Sequence, residues 1–179
     1  QIISPANNKT IIGIFQDSLL GCYRFTRKDV KFGPRETMNL LMNFDKIDLN
    51  KLDFSKEISS FEILSQIMLP LSIEYKTKKF TDSEDYKESN NVVQIENGVY
   101  LRGQIEKGVL GDGAKGLLQR ITKDFGYQKG AQFIDNLQNI ITEYMKSSAF
   151  SVGISDLVAN RLTRKLIADS ITSKKAEVK

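Results

Sequence analysis

Apolar positions recur along the chain in two periods, and the change between them predicts where helices and strands lie. Near the start, Ser4, Pro5, Asn7 and Asn8 form a turn-rich cluster before the run Ile11, Ile12, Ile14 and Phe15, which predicts a short strand. Asp17 and Ser18 can then cap a short helix carrying Leu19, Leu20 and Tyr23. Gly33-Pro34 breaks the chain and places Pro34 at the first position of a helix through Met38, Leu41 and Met42, where a missing N–H costs nothing. Phe61, Leu64, Ile67 and Met68 predict a second amphipathic helix ending by Pro70. Val92, Val93 and Ile95, then Asn97-Gly98, then Val99, Tyr100 and Leu101 predict a hairpin, because Asn and Gly tolerate the positive φ angles that a two-residue turn demands. Beyond Gly126 the period becomes 3.6. Phe133, Leu137, Ile140, Ile141 and Tyr144 fall on one stripe of a helix over about 128–148. After Gly153, Asp156 is the expected N-cap of a last helix with Val158, Leu162 and Leu166, and the final SKKAEVK is expected to fray or to continue into a missing partner.

Between these elements, residues 77–91 (TKKFTDSEDYKESNN) are almost all polar. They cannot bury enough surface to offset ordering entropy and are expected to form an exposed loop. Strands and a hairpin first, helices last, with no internal repeat, predict an α+β fold of short strands and several helices ending in long helices. At 179 residues the chain is long enough to bury a core without metal or disulfide staples.

Composition narrows the chemistry. There is no histidine and one cysteine, Cys22, which excludes histidine-based triads, histidine-liganded zinc, four-cysteine metal sites and internal disulfides. Cys22 reads as a small buried apolar residue. No apolar run approaches the ~18 residues of a bilayer span, so a soluble intracellular protein without membrane partners is expected. The start at Gln1, without methionine, suggests a piece of a longer or processed polypeptide. The net charge is +4. Its ends are basic and its middle acidic: residues 35–100 hold eight basic and twelve acidic groups, residues 101–179 thirteen and eight. Basic surface attracts phosphates, though charge of this size is common on solvated faces.

Four motifs invite chemical readings. GVLGDGAKG (108–116) contains Gly111-x-Gly113-x-x-Gly116, but no second parallel strand with a ribose-binding acid follows, and Lys115 stands one place late for a P-loop. A tight glycine turn is the favoured reading over a nucleotide-binding enzyme. Asp45, Asp48 and Asp53 are interspersed with Lys46 and Lys51 and read as solvated turn residues rather than magnesium ligands. Arg24, Arg27, Lys28 and Lys31 interleave with Tyr23, Phe25 and Phe32. That mixture suits single-strand nucleic-acid contact, or simply a helix end with cations at its C-terminal pole.

Ser4-Pro5-Ala6-Asn7, Lys9, Ile11-Ile12-Gly13 and Gln16-Asp17-Ser18-Leu19-Leu20-Gly21, through Thr26, resemble the stretch of the largest subunit of multisubunit DNA-directed RNA polymerases that follows the catalytic aspartate loop. The resemblance returns at Gly103-Gln104-Ile105-Glu106-Lys107, Gly111, Gly116-Leu117 and Phe125-Gly126, similar to the family's pore segment. It returns again at Phe150-Ser151-Val152-Gly153-Ile154-Ser155-Asp156, similar to the lead-in to the funnel helices. The resemblance implies a pore domain over 1–152 and the beginning of a funnel domain over 153–179. Together these would line the secondary channel through which nucleoside triphosphates reach the active centre and the RNA 3′ end is extruded on backtracking.

By matching position, Asn8, Lys9, Gln16 and Lys107 are the implied contacts to RNA or triphosphate, with Gly111, Gly113 and Gly116 shaping the loop. A lysine beside a glycine turn is a point charge suited to passing polyanions, and amides bond phosphate, ribose or base edges without sequence preference. Other polymerase subunits and a transcript-cleavage factor are the implied partners. The magnesium-binding aspartates of the family would precede Gln1, so no catalytic or metal-binding residue and no cofactor is expected here, and the piece alone should be catalytically silent. Between about 45 and 92 the family's proline-rich segment and its tryptophan-containing Gly-Lys-Gln motif are replaced, and Lys107 is followed by Gly108 rather than a second lysine. Such divergence points to a large DNA virus, with the host cytoplasm or virion as its location, rather than to a cellular polymerase of nucleus or bacterial cytoplasm. The alternative reading is a freestanding nucleic-acid-binding module using residues 23–32.

Overall fold

Helix α6 (Tyr127–Ser147) forms the spine of the fold, and its buried face is the predicted stripe of Phe133, Leu137, Ile140, Ile141 and Tyr144. In the computed structural model, which describes residues 1–110 and 116–178, the chain divides into two units, Gln1–Ser148 and the residues from Ala149 onward. Within the first, α6 packs against α1 (Gln16–Phe25), α2 (Pro34–Leu41), α3 (Ser60–Ile67) and α5 (Leu117–Phe125). The α1–α6 crossing is close because Gly21 presents no side chain: a Cβ there would lie 2.5 Å from the Ile141 side chain.

Local chemistry sets the helix ends. Pro34 opens α2, and the Glu36 carboxylate accepts the Gly33 N–H at 3.1 Å. At α3 the Ser59 hydroxyl accepts the Glu62 N–H at 3.2 Å while the Glu62 carboxylate accepts the Ser59 N–H at 2.9 Å, a reciprocal cap worth about 1 kcal/mol.

Two antiparallel sheets accompany the helices, as the α+β expectation requires. Strand β1 (Lys31–Phe32) pairs with β2 (Ile58–Ser59), and β3 (Ile73–Lys76), β4 (Val92–Glu96) and β5 (Val99–Arg102) form a three-stranded sheet with β4 at its centre. The β4–β5 turn is the expected one. Asn97 and Gly98 both take positive φ, 45° and 81°, which matches the twist of the flanking strands. A short helix α4 (Lys107–Leu110) follows and takes in Gly108–Leu110, the first three residues of the 108–116 glycine segment.

Three expectations are corrected. Residues 11–15 form no strand; the opening segment closes on itself through the single bridge Ile3–Thr10 and the Ile11 N–H to Ile2 carbonyl bond at 2.7 Å. A strand needs a partner along its length, and among the described residues the Ile14 N–H alone reaches outward, to the Leu110 carbonyl at 3.2 Å, while Ile11 and Ile12 are exposed. Asp17 and Ser18 do not cap α1, which starts at Gln16, so that Asp17 lies inside its first turn. Asp156 does not cap the last helix either. In the second unit it sits within α7 (Ile154–Leu157) and its carboxylate accepts the Gly153 N–H at 2.8 Å, whereas α8 (Arg161–Val178) is capped by the Asn160 side chain, which accepts the Thr163 N–H at 2.8 Å. Among the described residues α8 continues into that final segment as far as Val178. Among the described residues no helix is long and apolar enough to cross a membrane.

Residues 77–91 contain no helix or strand and are mostly exposed, but they are tied down. The Glu84 carboxylate accepts bonds from the Ser89 hydroxyl, from the Asn91 amide at 3.0 Å and from the Thr81 hydroxyl at 3.1 Å, and these hold its pKa below the ordinary 4.5. A carboxyl whose pKa is depressed by folding contributes order that is complete above its unfolded pKa and is lost as pH falls through the folded value. The loop amides of Ser89 and Asn91 are therefore expected to exchange slowly at neutral pH and to lose protection as acid protonates Glu84, at a pH below its ordinary 4.5. Glu84→Gln should show the acid behaviour already at pH 7. Hydrogen exchange measured across that range checks this, and equal protection at both ends of it would remove Glu84 from the role.

Candidate functional site

The first and second resembling blocks meet in space, and a buried polar network holds them together. The Thr26 hydroxyl donates to the Cys22 carbonyl at 2.8 Å and accepts the Ile105 N–H at 2.8 Å. The Gln104 side chain donates to the Tyr23 carbonyl at 3.0 Å. Asn90 bridges both blocks, donating to the Thr26 carbonyl at 3.2 Å and accepting the Gly103 N–H at 3.1 Å. Cys22, beneath this network, is fully buried, and burial pushes its thiol up to about 12, so it is a packing residue without nucleophilic character.

Of the sequence-predicted residues, Asn8, Lys9, Gln16 and Lys107 are all exposed. Asn8 and Gln16 occupy left-handed backbone, φ 50° and 51°. For glutamine, a side chain without asparagine's tolerance of this region, that is a strained conformation held by its surroundings. The Asn8 carbonyl accepts from the Gln119 side chain at 2.6 Å, and Lys107 opens α4. Gly116 has room for no side chain, since a Cβ would stand 2.8 Å from the Val109 carbonyl oxygen. Gly111 and Gly113 lie outside the described residues.

A cleft of about 730 Å³ runs beside β3, with α5 as its other wall. It is lined by Asn8, Gly108 and Gly116 together with residues that sequence reasoning did not single out: Lys76 and Lys78 from the strand side, Arg120 and Lys123 from α5, and Glu74 and Glu106. Lys9, Gln16 and Lys107 are not among its lining residues. The i, i+3 spacing of Arg120 and Lys123 on one helix face and the i, i+2 spacing of Lys76 and Lys78 carried the available signal. Tyr75, also on this cleft, keeps a buried hydroxyl without a hydrogen-bond partner among the described residues, and burial, with the Glu106 charge, raises its pKa.

The aromatic stretch 23–32 is largely core. Phe25 and Phe32 are buried and stacked on each other with ring centroids 5.3 Å apart, and Tyr144 meets both rings edge-on. Neither phenylalanine can stack with a base, which corrects that part of the alternative reading. Tyr23 remains at the surface beneath Lys79, whose ammonium is 4.3 Å from its ring centroid. Asp48 accepts the Asn50 N–H at 3.2 Å and Asp53 the Ser55 N–H at 3.1 Å, so both serve turns; among the described residues no three carboxylates or thiols converge as a metal site would require.

Comparison with known proteins agrees with the block pattern. The family described as RNA polymerase Rpb1, domain 3, matches residues 1–157. The DNA-directed RNA polymerase II subunit RPB1-B of Trypanosoma brucei brucei is 26% identical over 178 residues, covering 98% of this chain and 10% of that protein. The DNA-directed RNA polymerase subunit 1 of Acanthamoeba polyphaga mimivirus is 28% identical over 183 residues, covering 99% and 11%. The chain thus spans about a tenth of the length of the curated relatives it matches. A match across 157 of its 179 residues shows that this chain belongs to the RNA polymerase largest-subunit family, as its Rpb1 domain 3.

Proposed function

We propose that the chain is a noncatalytic part of a DNA-directed RNA polymerase largest subunit, with residues 1–152 as pore domain and 153 onward as the start of the funnel. It would line the secondary channel that admits nucleoside triphosphates and receives the RNA 3′ end on backtracking. Its partners are then the other polymerase subunits, those two polyanions and a transcript-cleavage factor, and its place is wherever that enzyme transcribes inside the cell. Nucleotidyl transfer belongs to the assembled enzyme, whose metal-holding aspartates would lie upstream of Gln1; no residue described here is given a step in it.

The observation that carries this reading is the family match combined with exposed Asn8 and Gln16 on strained backbone, since strain is retained where the surroundings impose it and clusters at sites of contact. Lys107, exposed at the start of α4, supplies a mobile positive charge.

The test is Lys107→Ala in the intact polymerase. Removing one charge-assisted contact should change the lifetime of paused or backtracked complexes by roughly threefold to tenfold while leaving the rate of uninterrupted elongation nearly unchanged. Identical pause lifetimes and transcript-cleavage rates in the variant would remove Lys107 from the channel wall.

A further inference from the structure

Among the described residues strand β3 is an edge of its sheet, because β4 pairs with it on one side and no described strand lies on the other. In an antiparallel ladder alternate residues direct their N–H and C=O groups away from the partner strand. For Ile73–Lys76 those outward groups meet no backbone or side-chain partner among the described residues. All four residues line the 730 Å³ cleft whose far wall is α5, so the unpaired edge opens into a groove rather than onto flat surface. The other edge differs, since the Tyr100 N–H on β5 is taken by the Ser65 hydroxyl of α3 at 2.9 Å.

The groove carries more positive than negative charge, Lys76, Lys78, Arg120 and Lys123 against Glu74 and Glu106. Lys76, Lys78 and Lys123 are exposed and form no ion pair among the described residues. Of the groove's two acids, the Glu106 carboxylate accepts the Lys78 N–H at 2.9 Å. Lys76 is held in position with its ammonium 4.4 Å from the Phe80 ring centroid.

We propose that the free edge of β3 is a strand-addition site that takes an extended acidic segment of a partner polypeptide, paired to the Ile73–Lys76 backbone and flanked by Lys76, Lys78 and Lys123. Four residues of strand cover about 13 Å, so a segment of four to six residues fills the edge. Main-chain bonds supply affinity and the lysines supply selectivity for acidic side chains. The channel reading shares Asn8 with the lining of this cleft, but strand addition here rests on the β3 backbone and the lysines and uses neither Lys9, Gln16 nor Lys107.

The probe is a blocked seven-residue peptide alternating valine with glutamate or aspartate, titrated into the 179-residue chain while amide exchange is followed. Saturable binding with protection of the Glu74 and Lys76 amides, which point away from β4, is expected, and N-methylation of alternate peptide amides should weaken it by about tenfold or more. Lys78→Glu/Lys123→Glu, with an unchanged thermal midpoint, should weaken the acidic peptide by about threefold to tenfold at low salt and favour its lysine counterpart. Equal binding of the N-methylated peptide, protection elsewhere, or no saturation would overturn the site. So would β3 protection that appears on self-association without peptide, which would assign the edge to a second copy.

Discussion

Replacing Gly103 with alanine is expected to leave little or no folded protein. Gly103 follows β5 with φ 108°, a region that side-chain-bearing residues rarely enter, and a Cβ there would lie 2.2 Å from Val93 Cα, 2.6 Å from the Val92 carbonyl oxygen and 2.7 Å from the Val93 nitrogen. All three obstacles are backbone of the central strand, so no rotamer change relieves the overlap. The same residue accepts the Tyr100 hydroxyl at 2.7 Å and donates to Asn90, so a shift of the chain would also break buried bonds. Backbone strain combined with a lost network places the cost at about 3 kcal/mol or more, a large share of a domain's total stability. Gly108→Ala is the control. Its nearest obstacle is the tip of the Glu106 side chain at 3.3 Å, and α4 is helical there, so its midpoint should move by less than about 0.5 kcal/mol in urea denaturation. Similar midpoints for the two variants would refute the close approach of Gly103 to β4.

Phe25→Ala is expected to cost about 3–5 kcal/mol, because deleting a fully buried ring loses its transfer energy and leaves a cavity against Phe32 and Tyr144. The variant also separates two roles for the segment 23–32. If the ring packs the core, chemical denaturation reports the loss and nucleic-acid affinity of whatever remains folded is unaffected. Retained stability with lost binding to a single-stranded oligonucleotide would instead make Phe25 a stacking platform. In contrast, Arg27 and Lys28 are exposed, and substituting them should alter affinity for polyanions without moving the midpoint.

The elements most readable from sequence were those whose signal is local. The stripe Phe133–Tyr144 defines α6 because helical period and burial coincide over several turns, and Asn97-Gly98 fixes the hairpin because only such residues accept its turn. Residues 11–15 misled for the converse reason. Their apolar content suits a strand, but strands exist only by pairing, and among the described residues no strand lies beside them. Phe25 and Phe32 were ambiguous because an aromatic beside a cation is written the same way whether the ring turns inward or outward. The cleft was the least legible. Lys76 and Lys78 stand more than forty positions from Arg120 and Lys123, and only the packed fold brings them to one groove. Resemblance supplied Asn8 and Lys107; nothing in their local spacing would have separated them from other polar residues.

The meeting of Tyr23–Thr26 with Asn90 and Gly103–Ile105 has an architectural consequence. The polypeptide departs from this junction and comes back to it, so the intervening excursion is tethered at both feet by bonds spanning 64 to 81 positions. Its crest, the stretch 80–88, can be lengthened, shortened or rewritten at small entropic expense while Gln104 and Ile105 keep their station beside α1. The domain is in this sense a fixed floor with an interchangeable canopy, and new surface can be tried on the one without disturbing the other.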